Sequence, residues 1–289
     1  MARDLLRLVL KAARLGFFLS GSLLLQTVRA RLHRWTYRAV ASPRNVVVIG
    51  GSFAGVQVAT RLSDSLPSGY RVVVVERNSH FHYLFNFPRY TVIPGHEHTA
   101  FIPYDGIVKQ APHGALVVLH DEAAEVGADT IRLASGEELP YDYLVLATGS
   151  TQPSPSKLVA TDKAGGCAEL RQWQDKVDSA RTIAVLGGGS VGVQISTDIK
   201  SYYPDKDVTL VHSRSQLLPR FGVRLHEHVL GVMKELGIHL RLGSRPEVLA
   251  GDDRETSLRF EGGETQLFDL IVSSCVESPS VLSKLGLVL

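Results

Sequence analysis

The apolar pattern of this chain restarts part-way along. Val46-Val47-Val48-Ile49 is an unbroken apolar run that leads through Gly50-Gly51-Ser52 into a stretch of small and apolar residues at helical spacing. Ile183-Ala184-Val185-Leu186 and then Gly187-Gly188-Gly189-Ser190 repeat that order 137 residues later. A run that is apolar at every position suits a strand covered on both faces, as in a parallel sheet. The pattern predicts strand 45–50, helix 53–65 and strand 71–76 in one unit, then strand 182–187, helix 190–201 and strand 207–212 in another. Between them lie an irregular stretch to about Gly95, short strands around turns at 115–135, and a buried strand within 141–149. A Pro- and Ser-rich linker, 151–156, and a helical segment near 165–179 complete the connection. Helix 223–235 and strands near 238–243, 256–261 and 268–274 extend the second unit. The fold class is α/β with two Rossmann-like dinucleotide-binding units: a front part of the first domain at 44–150, a second domain at 151–275, and 276–289 turning back toward the first.

The turns carry the chemistry. Gly50, Ser52 and Gly55 in the first, and Gly187, Gly189 and Gly192 in the second, have the spacing of a strand-turn-helix nucleotide fingerprint. The first glycine allows a tight turn and the last lets the helix close on the sheet, so the helix N-terminus directs free amides at a pyrophosphate. Gly51, Ala54, Ser190 and Val191 lie within the same two footprints. One such turn can be only a turn; two, each followed by a second strand at similar spacing, imply two dinucleotides. The first unit's second strand, from Tyr70, ends in Glu76, followed by Arg77. An acid there accepts hydrogen bonds from a ribose diol, so Glu76 favours an adenosine without a 2′-phosphate, as in FAD. The other second strand ends in His212-Ser213-Arg214, with no acid. Arg214 suits a 2′-phosphate, which would let NADPH serve at least as well as NADH, or it is a solvated loop residue.

Composition sets limits. The 289 residues allow about two domains, and 44% hydrophobic residues can fill their cores. Cys167 and Cys275 form no CxxC pair, which argues against a disulfide framework and a redox dithiol, and for a reducing compartment. Residues 1–45 hold nine Lys/Arg and one acid, a net of +8, whereas the rest has 22 basic against 28 acidic residues, a net of −6. The globular part therefore gives no support to nucleic-acid binding. The pairs His80/His82, His96/His98 and His226/His228 have no third ligand at metal-site spacing, so no metal is expected.

The basic segment, residues 1–43, places Arg3, Arg7, Lys11 and Arg14 at helical spacing and then leaves Leu15–Val28 uncharged for 14 residues. That falls short of the ~20 apolar residues of a clean bilayer span. The readings are a membrane-surface or re-entrant anchor with Arg29, Arg31, Arg34 and Trp35 at the headgroups, an Arg-rich mitochondrial presequence, or a helix packed on the enzyme itself.

Together, the first fingerprint, the acid-tipped strand, Ala147-Thr148-Gly149-Ser150-Thr151, Gly187-Gly188-Gly189-Ser190 and Tyr203-Pro204-Asp205-Lys206-Asp207-Val208-Thr209-Leu210-Val211-His212-Ser213 resemble the apoptosis-inducing-factor-type flavoproteins. The likeness is to the AMID or ferroptosis-suppressor group of NAD(P)H:quinone oxidoreductases, related to type II NADH dehydrogenases, and covers about residues 44–280. It implies FAD in the first unit with Thr148 and Gly149 beside it, NAD(P)H in the second with Gln194 near the nicotinamide, and electrons passing to a membrane quinone. It also makes His82, Phe85 and Pro88 neighbours of the flavin ring, and no protein acid, base or nucleophile is needed for hydride transfer. Location would be membrane-associated, mitochondrial or else cytoplasmic.

The chain departs from that group at four places. Ser52 replaces the usual middle glycine, Gln194 a usual Glu, and Cys275-Val276-Glu277-Ser278-Pro279-Ser280 a Thr-Gly-x-x-Pro-Asn segment. The sequence also reads as C-terminally truncated, because Leu289 precedes the group's returning strand and acceptor-facing segment; weak flavin retention is the expectation. A non-enzymatic nucleotide-binding remnant is accordingly the competing function class. If Arg214 reads a 2′-phosphate, Arg214→Ala lowers kcat/KM for NADPH by roughly 10- to 100-fold, the worth of one charge-assisted hydrogen bond, and leaves NADH nearly unchanged. Equal losses for the two cofactors would remove Arg214 from that role.

Overall fold

The computed structural model describes residues 2–150, 152–249 and 256–274. Helix α1 (Ala2–Thr36) runs unbroken for 35 residues. The first unit then opens with β1 (Arg44–Ile49), α2 (Phe53–Ser63) and β2 (Tyr70–Glu76). The short elements β3 (Phe81–His82), α3 (Phe87–Tyr90), β4 (Phe101–Ile102) and α4 (Asp105–Gln110) lead to β5 (Leu116–His120). A meander of β6 (Ala123–Val126), β7 (Thr130–Leu133) and β8 (Glu138–Pro140) precedes β9 (Tyr143–Leu146). The main sheet has the order β5-β2-β1-β9, with every pair parallel.

Successive side chains of a strand leave on opposite faces, and here both faces are covered. Val47, Ile49, Val73 and Val75 pack on Ala123, Ile131, Leu133 and Leu139 of the meander. Val48, Val72 and Val74 turn the other way, onto Ala59 of α2. This double burial is why the runs contain no polar position.

The second unit repeats the plan. It comprises α5 (Lys163–Ser179), β10 (Thr182–Leu186), α6 (Ser190–Tyr202), β11 (Asp207–His212), α7 (Val223–Glu235) and β12 (His239–Leu242). The meander β13 (Glu247–Leu249), β14 (Thr256–Arg259) and β15 (Thr265–Phe268) comes before β16 (Leu270–Ser273). Its parallel sheet has the order β12-β11-β10-β16, matching the first strand for strand. Ala184 and Val211 face Leu258, Phe260 and Phe268 of the meander, whereas Ile183, Val185, Leu210 and Val272 face Ile195, Ile199 and Met233.

The structure differs from the expectations where elements are short. α2 ends at Ser63, and the strand expected over 141–149 is confined to Tyr143–Leu146, with Asp142 donating its amide to Asn45 as the chain enters the sheet. Two- to four-residue strands such as β3, β4, β8, β13 and β15 leave no periodicity to read. The stretch to Gly95 is not merely a loop, because it forms the contact between the units. Arg89 of α3 donates to Asp198 of α6 at 2.9 Å, and Gln174 of α5 donates to the Tyr90 carbonyl at 2.7 Å. Arg171 of α5 bonds Glu97 at 2.7 Å, and Val92 is buried in the second unit's own core.

The last glycine of each fingerprint is fixed by sterics. A Cβ on Gly192 would sit 1.9 Å from the Gly187 carbonyl oxygen, whereas one on Gly189 would meet nothing within 4 Å. Gly192→Ala is therefore expected to lower stability by at least ~2 kcal/mol through forced displacement of α6, and Gly189→Ala to change it by no more than about 0.5 kcal/mol. Thermal unfolding of the two variants checks the contrast.

Candidate functional site

Parallel strands deliver their carboxyl ends to one edge of the sheet, where an open α/β fold binds its ligand. In the first unit, a cavity of about 660 Å³ lies at that edge. Gly50, Ser52, Glu76, Arg77, His82 and Thr148 line it, together with Tyr104, Asp121 and Lys157. The turn is built as the fingerprint requires: Gly50 has φ +101°, and a Cβ on Gly55 would fall 1.7 Å from the Gly50 carbonyl oxygen. Ser52 caps α2 at φ −85°, ψ −163°, close to the φ −81°, ψ −174° of Gly189 in the other unit. The substitution of serine for glycine therefore introduces no backbone strain, and its effect is confined to a side chain at the cavity wall.

Glu76 is buried, and its carboxylate accepts from the Gly51 amide and, at 2.8 Å, from the Asn78 amide. Two backbone bonds occupy about half of the lone-pair positions of a carboxylate, so the remainder can accept from a ribose diol. Tyr104 donates its hydroxyl to the Gly51 carbonyl at 2.8 Å. Burial first, and the Glu76 carboxylate second, hold this phenol protonated well above its ordinary range. The Gly51 peptide is thus gripped at both ends, and a Cβ there would lie 2.9 Å from the Tyr104 hydroxyl and 3.0 Å from Glu76 Cβ. Gly188 is the counterpart: a Cβ would lie 2.7 Å from both the His212 ring and Leu217. Both motifs begin with two glycines because the residue ending the next strand packs against the second of them.

Arg77 and Lys157 place positive charge at the cavity wall. Lys157 donates to the Ser150 carbonyl, and its ammonium pKa is pulled down by burial and by Arg77, with Glu76 opposing. Sequence reasoning missed both Tyr104 and Lys157, since neither sits in a motif. It also treated 151–156 as a mere linker, although Gln152, Pro153 and Ser154 are part of the cavity wall.

The other expected residues are distributed unevenly. Ala54 is exposed in the first turn of α2, Gly149 is exposed just past the cavity, and Pro88 is buried in α3 outside the cavity lining. Phe85 is 67% exposed and stacks on Phe53 at 5.0 Å. In the second unit, Gly187, Gly189, Ser190, Val191, Gly192 and Gln194 follow one another from the turn into α6, and His212 ends the adjacent strand. His212 is shifted toward its neutral form by burial and by the nearby Arg214, which is itself exposed. The Thr151 and Cys275–Ser280 readings and the segment 276–289 fall outside the described residues. Among the described residues, no group of three His, Cys, Asp or Glu could hold a metal ion, and His226 is engaged by the Leu217 amide at 3.0 Å.

These features match known proteins. Residues 44–287 fit the pyridine nucleotide-disulphide oxidoreductase family. The chain belongs to that family. It is 39% identical over 245 residues to Fe-regulated protein 8 of Mycosarcoma maydis, covering 77% of this chain and 62% of that one. With ferroptosis suppressor protein 1 of Homo sapiens it shares 32% identity over 210 residues, covering 70% and 52%. The chain thus spans between half and two thirds of the length of these relatives. A ferredoxin reductase from Rhodopseudomonas palustris has the same fold, with a TM-score of 0.65 at 19% identity over 80% of this chain and 58% of that one. The family name refers to disulphide chemistry, but this chain has no adjacent cysteine pair, and burial pushes the Cys167 thiol above its usual range.

His82 yields a test of the cavity. It is 8% exposed, stacks edge-on against Phe101 at 5.1 Å, and its Nε2 has no hydrogen-bond partner among the described residues. Burial, then Arg77, His80 and Lys157, lower its pKa to about 4 from 6.5. The unfolded chain therefore binds more protons than the folded one between these values, and stability falls as pH drops through that window, by roughly 3 kcal/mol in total. His82→Phe should flatten this part of the pH–stability curve; an unchanged slope would show that His82 is not held neutral.

Proposed function

We propose that this chain is an FAD-dependent NAD(P)H oxidoreductase that holds FAD in the first unit and NAD(P)H in the second, and that passes electrons to a quinone-type acceptor. The observation that carries the reading is the duplicated crevice with unlike ribose readers, Glu76 in one unit and His212 in the other. The residues around the first cavity fit FAD. Gly50 and Gly55 bring the amino end of α2 up to the turn, Glu76 retains acceptor positions for a ribose diol, and His82 Nε2 is a buried polar atom without a hydrogen-bond partner among the described residues. Flavin bound there would supply the two-electron redox chemistry that the protein's own side chains lack.

The protein's own part is to bind and orient. Arg77 and Lys157 offset pyrophosphate charge, Tyr104 and Glu76 fix the peptide that faces it, and neutral His82 offers a polar contact without adding charge. In the second unit, the amino end of α6 would take a second pyrophosphate, and the exposed Arg214 near His212 supports the reading of a 2′-phosphate partner. The contacts from Arg89 to Asp198 and from Gln174 to Tyr90 hold the two crevices in one relation, as transfer between two rings requires. α1 supports attachment to a membrane: although its uncharged stretch is only 14 residues, Leu6–Thr36 as one helix is long and apolar enough to cross a bilayer, and none of its apolar window is buried; its Arg-rich start favours a mitochondrial membrane. Its unbroken course argues against a re-entrant turn.

Visible absorbance of the purified protein tests the reading: a flavin spectrum, bleached by NAD(P)H and restored by a short-chain quinone, supports it. Protein that binds nucleotide but never flavin would favour the non-enzymatic alternative. Glu76→Ala is expected to weaken flavin retention by roughly 10- to 100-fold, the range for a bond to a charged group. If it alters only the KM for the nicotinamide, the two assignments are exchanged.

A further inference from the structure

The carboxyl end of α1 is docked on the first unit, at a definite place. His33 Nε2 lies 2.7 Å from the Leu66 carbonyl, Arg34 donates to the Gln110 carbonyl, and the Arg38 amide donates to Ser68 Oγ at 2.8 Å. Tyr37, 6% exposed, donates its hydroxyl to the Tyr70 carbonyl at 2.8 Å and reaches the Gly114 carbonyl at 3.5 Å. Tyr70 is the first residue of β2, Gly114 precedes β5, and Leu66 and Ser68 connect α2 to β2. All of them lie at the amino ends of the parallel strands. Gly50, Glu76, Asp121 and Thr148, which line the cavity, lie at the carboxyl ends. The seven residues of β2 separate the two poles by about 20 Å at the rise of an extended strand.

We propose that the segment His33–Arg38 is a collar that fixes orientation: it turns the amino pole of the first unit toward an anionic lipid bilayer and leaves the nucleotide cavity facing water on the far side. This rests on reading α1 as a membrane anchor and adds the direction in which the anchored domain faces. Charge and polarity at the collar fit a headgroup layer. Arg29, Arg31, Arg34 and Arg38 follow directly on the uncharged Leu15–Val28, and Trp35 is 76% exposed among them. The apolar helix and the docked domain are thus joined without a free linker, so a domain that follows the helix end cannot tumble freely above the lipid. NAD(P)H, FAD and a water-soluble quinone-type acceptor then reach the crevices from the aqueous side, whereas a quinone held within the bilayer does not.

The experiment places single fluorophores at either end of β5, by His113→Cys and Glu122→Cys in a full-length chain carrying Cys167→Ala and Cys275→Ser. Vesicles of phosphatidylcholine and phosphatidylglycerol carry a headgroup-attached nitroxide quencher. The label at 113 is expected to be quenched several-fold more than that at 122, and His33→Ala with Tyr37→Ala, which removes the collar's contacts to the Leu66 and Tyr70 carbonyls, combined with a long Gly-Ser insertion after Val40, is expected to make the two alike while vesicle binding persists. Equal or reversed quenching in the chain without these changes, or a difference that survives them, would overturn the orientation and leave the anchor intact. A full-length chain that fails to sediment with the vesicles, or that pairs with itself through α1 instead, would overturn both.

Discussion

Everything at the two crevices depends on one backbone contact, the approach of a helix to the carbonyl of the turn that precedes it. At Gly55 and Gly192, a Cβ would lie 1.7 and 1.9 Å from the carbonyl oxygens of Gly50 and Gly187. No rotamer relieves such a clash, because both partners are main chain. The closeness of the contact sets the angle at which α2 and α6 meet their sheets, and so aims the amides and the positive dipole end of each helix at the crevice. The double burial of the strands supports the same geometry, since a sheet sandwiched between helices and a meander holds its turns in register.

The parts legible in the sequence are those dictated by short-range sterics and long apolar runs. The strands from Val46 and Ile183, the helices after Gly50 and Gly187, and the end positions Glu76 and His212 all follow from pattern and spacing. The contact between the units does not, because it is made by α3 and the residues around it, in which Arg89, Tyr90, Val92 and Glu97 each meet a partner more than 70 positions away in sequence. Tyr104 and Lys157 were hidden for a related reason. A tyrosine that holds a loop carbonyl, or a lysine that half-buries itself beside Glu76, occupies a position defined by the tertiary fold and by no local spacing. The reading of α1 was limited differently: composition gave its apolar character, but only the collar at Tyr37 reveals which end of the domain it meets.

The likeness of the two units makes their one chemical difference informative. In both, the residue at the end of the second strand packs against the second glycine of the turn, so the position itself is imposed by the fold. Its identity is free to vary, and here it does. A carboxylate on the Gly51 amide adds negative charge beside the phosphate loop, which disfavours a further phosphate on the ribose and suits a dinucleotide ending in a plain diol. The His212 ring, kept neutral by burial and by Arg214, adds none, and leaves the neighbouring guanidinium without a counter-charge at that position. One duplicated scaffold thereby presents unlike local fields at the ends of its two second strands, while the turns and helix ends that precede them remain alike.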